Sequence, residues 1–351
     1  MRILYNDCII KEKRYSICLV LAGSVKGEIM DYTFDIIVPV YNASRTLDRM
    51  IASFLKQEYK NYRLILINDG SKDDSVSKCE QYAATYSNIV FQSQKNQGPG
   101  VARKTGFEIA SAEYIMFCDA DDYVEANLLS DINQSINENP SDIVEFGFRK
   151  VTLDGKELPY LQLKDEIIID KCLEHYIKQV NTTNYLWNRT FRRELISLDD
   201  FIDLHYSEDA CFLANIAKKA SHQVIIGDIY YNYVISSTSA CGSKINYRRL
   251  DMIKADQYIM GLLNEEYDYL RPYEAVTACS HAARLYGRFH AAGLLSTDIG
   301  MFFKKQFTEN YILLRTSKKE VFQDASLKRR LSIMLFRFSP KMYTFLFALC
   351  D

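Results

Sequence analysis

The chain has 351 residues, of which 48% are hydrophobic and 25% charged, a composition that fits one large or two modest domains. Its formal net charge is −2 at pH 7 and its pI is about 6.3, which argues against a nucleic-acid-binding protein. The sequence has no apolar run of roughly eighteen residues, so we expect no transmembrane helix.

The first 29 residues are predicted to be an extension that precedes the fold. The basic residues Lys11, Lys13 and Arg14 come before an apolar stretch, residues 17–22, which faintly resembles a signal peptide. That stretch is short and its charges come late, so we expect a cytoplasmic protein. Its nine cysteines form no Cys-x-x-Cys pair, as expected of reduced thiols.

From residue 34 onward, short apolar runs alternate with helical patterns. The predicted strands are residues 34–40, 63–68, 89–91, 114–118 and 143–148. The predicted helices are residues 44–57, 74–86, 99–112 and 125–137. This alternation predicts an α/β fold, a Rossmann-like and mostly parallel sheet flanked by helices.

The pattern changes after about residue 160. Helices are predicted near residues 170–180, 185–196 and 206–219, and strands at residues 223–226 and 229–233. From residue 246 the pattern is typical of helices only. We therefore predict a catalytic domain of residues 30–245 and an all-helical C-terminal region of residues 246–351.

The predicted sheet lacks a glycine-rich phosphate loop. The turn after the first strand is Pro-Val-Tyr-Asn-Ala (39–43), whereas a dinucleotide-binding fold would have Gly-x-Gly-x-x-Gly there. The sequence has no Walker A motif either. A metal ion held by carboxylates is therefore the more plausible phosphate clamp.

Three carboxylates directly follow the buried strand at residues 114–118. Asp119, Asp121 and Asp122 are expected at the sheet edge where open α/β sheets bind ligands. Mn²⁺ and Mg²⁺ prefer such oxygen ligands and share them with phosphates. Although Asp-x-Asp alone is weak evidence, its position after a strand predicts a site for one of these ions.

Six short motifs occur in a characteristic order. They are Pro-Val-Tyr-Asn (39–42), Asn-Asp-Gly-Ser (68–71), Asn-Gln-Gly (96–98), Ala-Arg (102–103), Asp-Ala-Asp-Asp (119–122) and Glu-Asp (208–209). Together they resemble the family 2 inverting glycosyltransferases of the GT-A fold, of the bacterial surface polysaccharide type, over about residues 34–235. Lys104 departs from the family, which often has Asn there. The Gln-x-x-Arg-Trp signature of processive synthases is absent, which favours transfer of one sugar at a time.

The resemblance implies roles for the residues of the nucleotide site. Asp121 would bind the metal, Asp119 would reach the ribose or the metal shell, and Asp122 would order the turn. Asp69 would accept a hydrogen bond from uracil N3–H, although a purely structural turn is the alternative. Arg103 would pair either with the diphosphate or with Asp122. The predicted nucleotide-binding residues are Pro39, Tyr41, Asp69, Asn96, Arg103 and Asp119.

The acceptor side needs a base that takes the proton of the attacking alcohol. By resemblance this is Asp209, with Glu208 as the alternative. Trp187 and Asn188 resemble the family's acceptor-side segment, although the edge of an amphipathic helix is an equal interpretation. His205 is close enough in sequence to line the same site.

These features predict a metal-dependent, inverting, non-processive transfer of one sugar from a UDP-sugar to a glycan, expected to be lipid-linked, in the synthesis of a bacterial cell-surface polysaccharide. Three alternatives stay open. A polyprenyl-phosphate or protein glycosyltransferase would share the fold. A sugar nucleotidylyltransferase would need a glycine-rich basic loop after strand one. A non-catalytic binding protein would be expected to lack Asp121 or Asp209.

The C-terminus combines basic and apolar residues. Lys328, Arg329 and Arg330 precede an apolar stretch, and a second apolar stretch, residues 342–347, follows Pro340. Such a pattern suits a segment that lies in the plane of an anionic membrane surface. The alternative is that these helices cover the catalytic domain.

Overall fold

The computed structural model describes residues 32–235 and 245–350, with the side chains of the last four of these excepted. Residues 32–351 form one compact unit. The predicted N-terminal extension, residues 1–29, lies outside the described residues. That it precedes the fold and is dispensable for it therefore stays a prediction.

A central sheet of ten strands organises the chain. The strands are β1 (Phe34–Val40), β2 (Tyr62–Asp69), β3 (Ile89–Gln94), β4 (Tyr114–Phe117), β5 (Tyr123–Val124), β6 (Ile143–Thr152), β7 (Glu157–Leu158), β8 (Glu166–Ile169), β9 (Arg189–Arg192) and β10 (His222–Ile235). Their order is β3-β2-β1-β4-β9-β6-β10-β5, with β7 beside β6 and β8 beside β10. Strands β1 to β4 are mutually parallel, and β6 is parallel to β10. The other pairings are antiparallel.

Helices cover both faces of the sheet. They are α1 (Leu47–Leu55), α2 (Ser75–Thr85), α3 (Pro99–Ile109), α4 (Leu128–Glu138), α5 (Cys172–Lys178), α6 (Glu208–Lys219), α7 (Asp251–Leu262), α8 (Arg271–Ala291), α9 (Thr297–Thr316), α10 (Lys319–Asp324), α11 (Leu327–Phe338) and α12 (Pro340–Cys350). Alternate side chains of β1 join different cores, since Ile37 packs with α3 and α6 while Ile36 and Val38 pack with α1. The predicted α/β fold is confirmed.

Two details of the prediction are wrong. Residues 185–196 do not form the predicted helix, because β9 occupies their centre and pairs with both β4 and β6, and only a short 3-10 turn, Arg193–Leu195, follows it. Residues 223–226 and 229–233 are not separate strands but one strand, β10, with register shifts after Ile226 and Ile229. Gly147 of β6 faces the irregularity, where an added Cβ would lie 2.4 Å from the carbonyl oxygen of Asp228.

The C-terminal region, residues 247–350, contains helices without strands, as predicted. Its core is formed by α7 to α12 around the long helix α8. Across residues 32–235 and 245–350, no helix is long and apolar enough to cross a membrane. The proposed boundary near residue 245 stays a prediction.

Candidate active site

The acid turn, residues 119–122, begins two residues after β4 at the carboxyl edge of the parallel strands. Carboxylate oxygens of Asp119, Asp121 and Asp122 lie within 4.8 Å of one another. Two side chains hold this turn by hydrogen bonds to its backbone. Thr46, just before α1, donates to the carbonyl oxygen of Ala120 (2.9 Å), and Arg49 of α1 donates to that of Asp121 (2.7 Å). The sequence prediction that three acids meet at this sheet edge therefore agrees with the structure.

Asp122 is a structural member of the acid turn. Its Oδ2 accepts a hydrogen bond from the hydroxyl of Tyr231 (2.7 Å), and its Oδ1 accepts one from the backbone N–H of Val234 (2.7 Å). The Tyr231 oxygen also accepts the backbone N–H of Asp119 at 3.2 Å. Because both partners belong to β10, the far half of the sheet fixes the acid turn. Tyr231 was missed in the sequence, since nothing local marks it.

Arg103 joins the acid turn to the start of α6. Its Nη2 donates to Oδ1 of Asp119 (3.0 Å), while its Nη1 donates to Oδ1 of Asp209 (3.0 Å) and Oε1 of Glu208 (3.3 Å). Of the two partners predicted for Arg103, Asp122 is wrong, because its oxygens bond to Tyr231 and Val234, and the diphosphate stays a prediction. Arg103 thus brings the metal-binding and base candidates together, and we name these four residues the Arg103 cluster.

The Arg103 cluster carries more negative than positive charge. Burial would lower the pKa of Arg103, but the three carboxylates raise it, so the guanidinium stays charged. Burial and the neighbouring Asp209 raise the pKa of Glu208 to about 8. Burial also raises the pKa of Asp209, although Arg103 opposes the shift. Arg103 therefore opposes protonation of both acids, and its contact with Asp209 (3.0 Å) is shorter than its contact with Glu208 (3.3 Å).

The backbone at the start of α6 is strained. Ser207, the residue before the helix, has φ of 66°, a left-handed conformation that is uncommon for a residue other than glycine. It turns the chain so that Glu208 and Asp209 occupy the first helical turn. Gly100 of α3 lies close by, since a Cβ there would be 3.6 Å from Cγ of Glu208. The Asp209 side chain keeps 26% of its surface exposed, so a substrate can reach it.

Asp69, at the end of β2, organises the loop that follows β3. Its Oδ1 accepts hydrogen bonds from Gln94 Nε2 (2.8 Å) and the backbone N–H of Gln97 (2.9 Å), and its Oδ2 accepts the N–H of Gly98 (2.8 Å). These bonds occupy three of roughly four acceptor positions of a carboxylate. The structural-turn interpretation is thus well founded, and the contact with uracil stays a prediction.

The remaining nucleotide-site candidates surround Asp69. Asn96 donates from Nδ2 to the backbone oxygen of Asp69 at 2.9 Å, and Gly70 lies so close that a Cβ would be 2.8 Å from the N atom of Asn96. Pro39 lies near the end of β1, and Tyr41 follows with its ring half exposed. An exposed aromatic ring beside these strand ends offers a stacking face for a base.

Trp187 supports the acid turn from behind. Its ring stacks on Tyr231 with centroids 4.4 Å apart and on Tyr185 at 4.5 Å. Phe148 contacts it edge to face at 4.9 Å. Because Trp187 is buried, its contribution is to position Tyr231, which in turn holds Asp122 and Asp119.

Two acceptor-side candidates do not face a cleft. Asn188 is 0% exposed and donates to the backbone oxygen of Phe146 at 3.0 Å, which corrects its predicted acceptor role. His205 is exposed, and its ring lies 4.0 Å from Asp251 rather than against the Arg103 cluster. Of the acceptor-side candidates, Glu208 is the one that the structure brings to the Arg103 cluster.

The acid turn suits a hard divalent cation. Asp121 offers a carboxylate whose pKa is raised to about 6 by burial and by the neighbouring Asp119. Asp119 retains oxygen lone pairs beyond its bond to Arg103. An all-oxygen donor set is the chemistry that Mg²⁺ and Mn²⁺ prefer.

The chain is similar to known glycosyltransferases. The family model described as glycosyl transferase family 2 matches residues 35–198. The uncharacterized glycosyltransferase EpsJ of Bacillus subtilis is 28% identical over 258 residues, covering 72% of this chain and 73% of that protein. The cholesterol galactosyltransferase of Borreliella burgdorferi is 31% identical over 212 residues, covering 57% of this chain and 59% of that protein.

A solved structure supports the fold. S. aureus TarS in complex with UDP-GlcNAc superposes with a TM-score of 0.63 and 18% sequence identity, covering 90% of this chain and 89% of that chain. At this identity the likeness concerns the fold alone. The family match carries the assignment of activity: residues 35–198 form a glycosyl transferase family 2 domain, and the protein is a glycosyltransferase with a GT-A fold.

Proposed function

We propose that the protein transfers one sugar from a UDP-sugar to a hydroxyl of a lipid-linked glycan, with inversion at the anomeric carbon and with Mn²⁺ or Mg²⁺ as cofactor. One observation carries this proposal. A single guanidinium, Arg103, holds a carboxylate of the acid turn and the candidate base Asp209 on its two Nη atoms. The donor's diphosphate and the acceptor's hydroxyl would therefore meet at adjacent groups.

The donor side rests on Asp119 and Asp121. These residues would hold the divalent cation, which supplies charge stabilisation for the departing diphosphate. Tyr41 would cover the uracil ring with its exposed face, and the remaining acceptor position of Asp69 would receive uracil N3–H. The TarS complex contains UDP-GlcNAc, which favours a uridine donor in this fold.

The acceptor side rests on Asp209. The alcohol oxygen forms a bond to the anomeric carbon while the bond from that carbon to the diphosphate oxygen breaks. The alcohol proton moves to the carboxylate of Asp209, and the bonding electrons leave with UDP. Burial raises the pKa of Asp209, and the positive charge of Arg103 opposes that shift and so favours the ionised form needed for this step.

The sequence and one relative support the proposed number of sugars transferred and the proposed class of acceptor. The chain lacks the Gln-x-x-Arg-Trp signature of processive synthases, so one sugar is added per acceptor. A minor teichoic acid biosynthesis protein of Bacillus subtilis is 35% identical over 116 residues, although these cover 13% of that protein. A surface-polymer intermediate is the acceptor class that such a relative favours.

Calorimetry tests the donor and metal assignments together. UDP is titrated into the protein with Mn²⁺ and then with EDTA, and we expect binding to need the metal. Asp121→Asn should weaken metal-dependent binding, while Asp298→Asn, which removes an exposed acid at the start of α9, should not. Equal UDP affinity in all four cases would refute the metal role. A hydrolysis screen over UDP-, GDP-, CDP- and dTDP-sugars then identifies the donor.

A further inference from the structure

The outer side of α11 and the first part of α12 presents large apolar side chains to solvent. Leu327 and Phe338 are 62% and 81% exposed. The apolar positions on α11 are spaced by four, three and four residues, so they share one side of the helix. We call this surface the α11–α12 face, formed by Leu327, Leu331, Met334, Phe338, Met342, Phe345 and Leu346.

The opposite side of α11 is packed into the helical region. Phe336 is buried, with its ring 4.8 Å from that of Phe307 and 5.1 Å from that of Tyr286. Ile333 is buried beside it. These contacts fix the orientation of α11, so the exposed apolar side is a stable feature of the fold. They also mean that deleting α11 would open the core.

Charge is segregated toward the same segment. Residues 325–350 include five Lys or Arg and no Asp or Glu, although the whole chain has a net charge of −2. Lys328, Arg337 and Lys341 are exposed. The Arg337 guanidinium lies over the Tyr311 ring at 4.7 Å, which holds it beside the apolar side chains. Cations therefore border the α11–α12 face without neighbouring carboxylates from the same segment.

We propose that the α11–α12 face docks on an anionic lipid bilayer, with both helices lying in the plane of its surface. Apolar side chains flanked by Lys and Arg are the combination that inserts at a headgroup boundary and attracts anionic lipid. The inference rests on the proposed function, because a lipid-linked acceptor lies in such a surface.

A second copy of the chain is the main competing occupant. A two-fold contact would set the face against itself and bring Lys328, Arg337 and Lys341 toward their own counterparts. Like charges at such a contact repel, whereas an anionic surface neutralises them. The charge distribution thus favours lipid over self-association.

Vesicle flotation tests the apolar part of the proposal. Full-length protein should float with vesicles of equal parts phosphatidylcholine and phosphatidylglycerol, and should stay at the bottom with phosphatidylcholine alone. The double variant Leu327→Gln/Leu331→Gln should lose on the order of tenfold in partitioning. The matched control is Leu153→Gln/Leu161→Gln, because those leucines are 61% and 53% exposed, against 62% and 53% for the test pair.

A second pair of variants tests the charges. Lys328→Gln/Lys341→Gln should weaken binding to the anionic vesicles by about 25-fold, since each of the two surface cations contributes about fivefold. Lys56→Gln/Lys156→Gln removes the same charge from exposed positions elsewhere and should leave binding unchanged. Raising the salt concentration should mimic the first pair.

The readouts separate this inference from the proposed function. Hydrolysis of the donor in the absence of vesicles should be the same in all four double variants, because none touches the Arg103 cluster. Equal flotation of test and control variants overturns membrane docking while leaving transfer intact. Failure of the wild-type protein to float with anionic vesicles also overturns membrane docking. So does a dimer, detected by light scattering, that Leu327→Gln/Leu331→Gln dissociates.

Discussion

The buried arginines Arg189 and Arg103 pair with different numbers of carboxylates. Arg189 pairs with one acid, Glu145, at 2.8 Å, whereas Arg103 pairs with three. The Glu145 carboxylate also accepts hydrogen bonds from Thr182 (2.8 Å) and Thr183 (3.0 and 3.2 Å). Neither Glu145 nor Arg189 reaches solvent appreciably, so charge and hydrogen bonds balance there.

The Arg103 cluster lacks that balance. Its carboxylates are partly exposed, and within the described residues Nε of Arg103 has no hydrogen-bond partner. A balanced buried pair serves the fold, because every charge already has its counterpart. An excess of negative charge at an accessible edge leaves room for a cation and a substrate. Arg189 and Glu145 therefore form a structural pair, whereas the Arg103 cluster is the candidate catalytic one.

Removing the carboxylate of Asp209, the candidate base, should have the largest effect on the rate of sugar transfer. Asp209→Asn is expected to lower the rate of sugar transfer by about 10²–10⁴-fold, since the acceptor proton loses its destination. UDP affinity in calorimetry should stay near wild type. Glu208→Gln is the matched control and should cost less, because burial and Asp209 raise the pKa of Glu208 to about 8 and so favour its neutral form. A larger loss in Glu208→Gln would reassign the base.

Replacing each arginine by methionine tests the two clusters directly. Arg189→Met should lower the free energy of unfolding by about 3–5 kcal/mol, because Glu145 would be left buried and unpaired. Arg103→Met should cost less stability, since its carboxylates reach solvent and can bind protons, but it should abolish transfer. Denaturant unfolding and a transfer assay measure both effects. The reverse order of stabilities would contradict the comparison.

Glu274 is a buried acid whose surroundings differ from those of the paired acid Glu145. Glu274 of α8 is buried, and within the described residues its Oε1 has no hydrogen-bond partner. Burial and the neighbouring Asp256 raise its pKa well above the usual value. Glu274→Gln should therefore raise the free energy of unfolding by about 1–3 kcal/mol at neutral pH.

The pH dependence of that gain has a definite sign. A carboxyl group with a raised pKa in the folded state loses stability as pH rises from the unfolded value toward the folded one. The advantage of Glu274→Gln over wild type should be larger at pH 8 than at pH 5. The exposed acid Glu320 provides the control, because Glu320→Gln should show no such trend. A constant advantage at both pH values would contradict the assignment.

An exposed ion pair is expected to make the smallest contribution to the free energy of unfolding. Lys305 and Glu309 lie one turn apart on α9 with 3.9 Å between Nζ and Oε1, and both side chains are mostly in solvent. Lys305→Gln should change the free energy of unfolding by about 0.5 kcal/mol or less. Denaturant unfolding checks it, and a loss comparable to that of Arg189→Met would show that burial does not decide these energies.

The sequence predicts the first half of the catalytic domain well. Strands β1, β2 and β4 are buried on both faces, so they are nearly continuous apolar runs, and turns such as Asn-Asp-Gly-Ser mark their ends. The acid turn follows from its position after β4, and Asp209 follows from the family resemblance. These features depend on residues that are close in sequence.

The parts that escaped prediction depend on distant pairing. β9, with the sequence Arg-Thr-Phe-Arg, has no apolar alternation, and its Arg189 faces a partner 44 positions earlier in β6. The hydroxyl of Tyr231 reaches Asp122 across 109 positions. No local pattern specifies which tyrosine of β10 points at the acid turn, because the register of β10 on β6 decides it.

The contact between Tyr231 and Asp122, which are distant in sequence, also determines when the enzyme becomes active during its synthesis on the ribosome. Strands β1 to β4 and Arg103 emerge first, and at that stage Arg103 and Asp119 can form a simple ion pair. The excess negative charge arrives only with Glu208 and Asp209, and the acid turn is fixed only after β10 has paired. Such long-range pairing is slow compared with local structure. A nascent chain therefore completes its central sheet before it can turn over a donor.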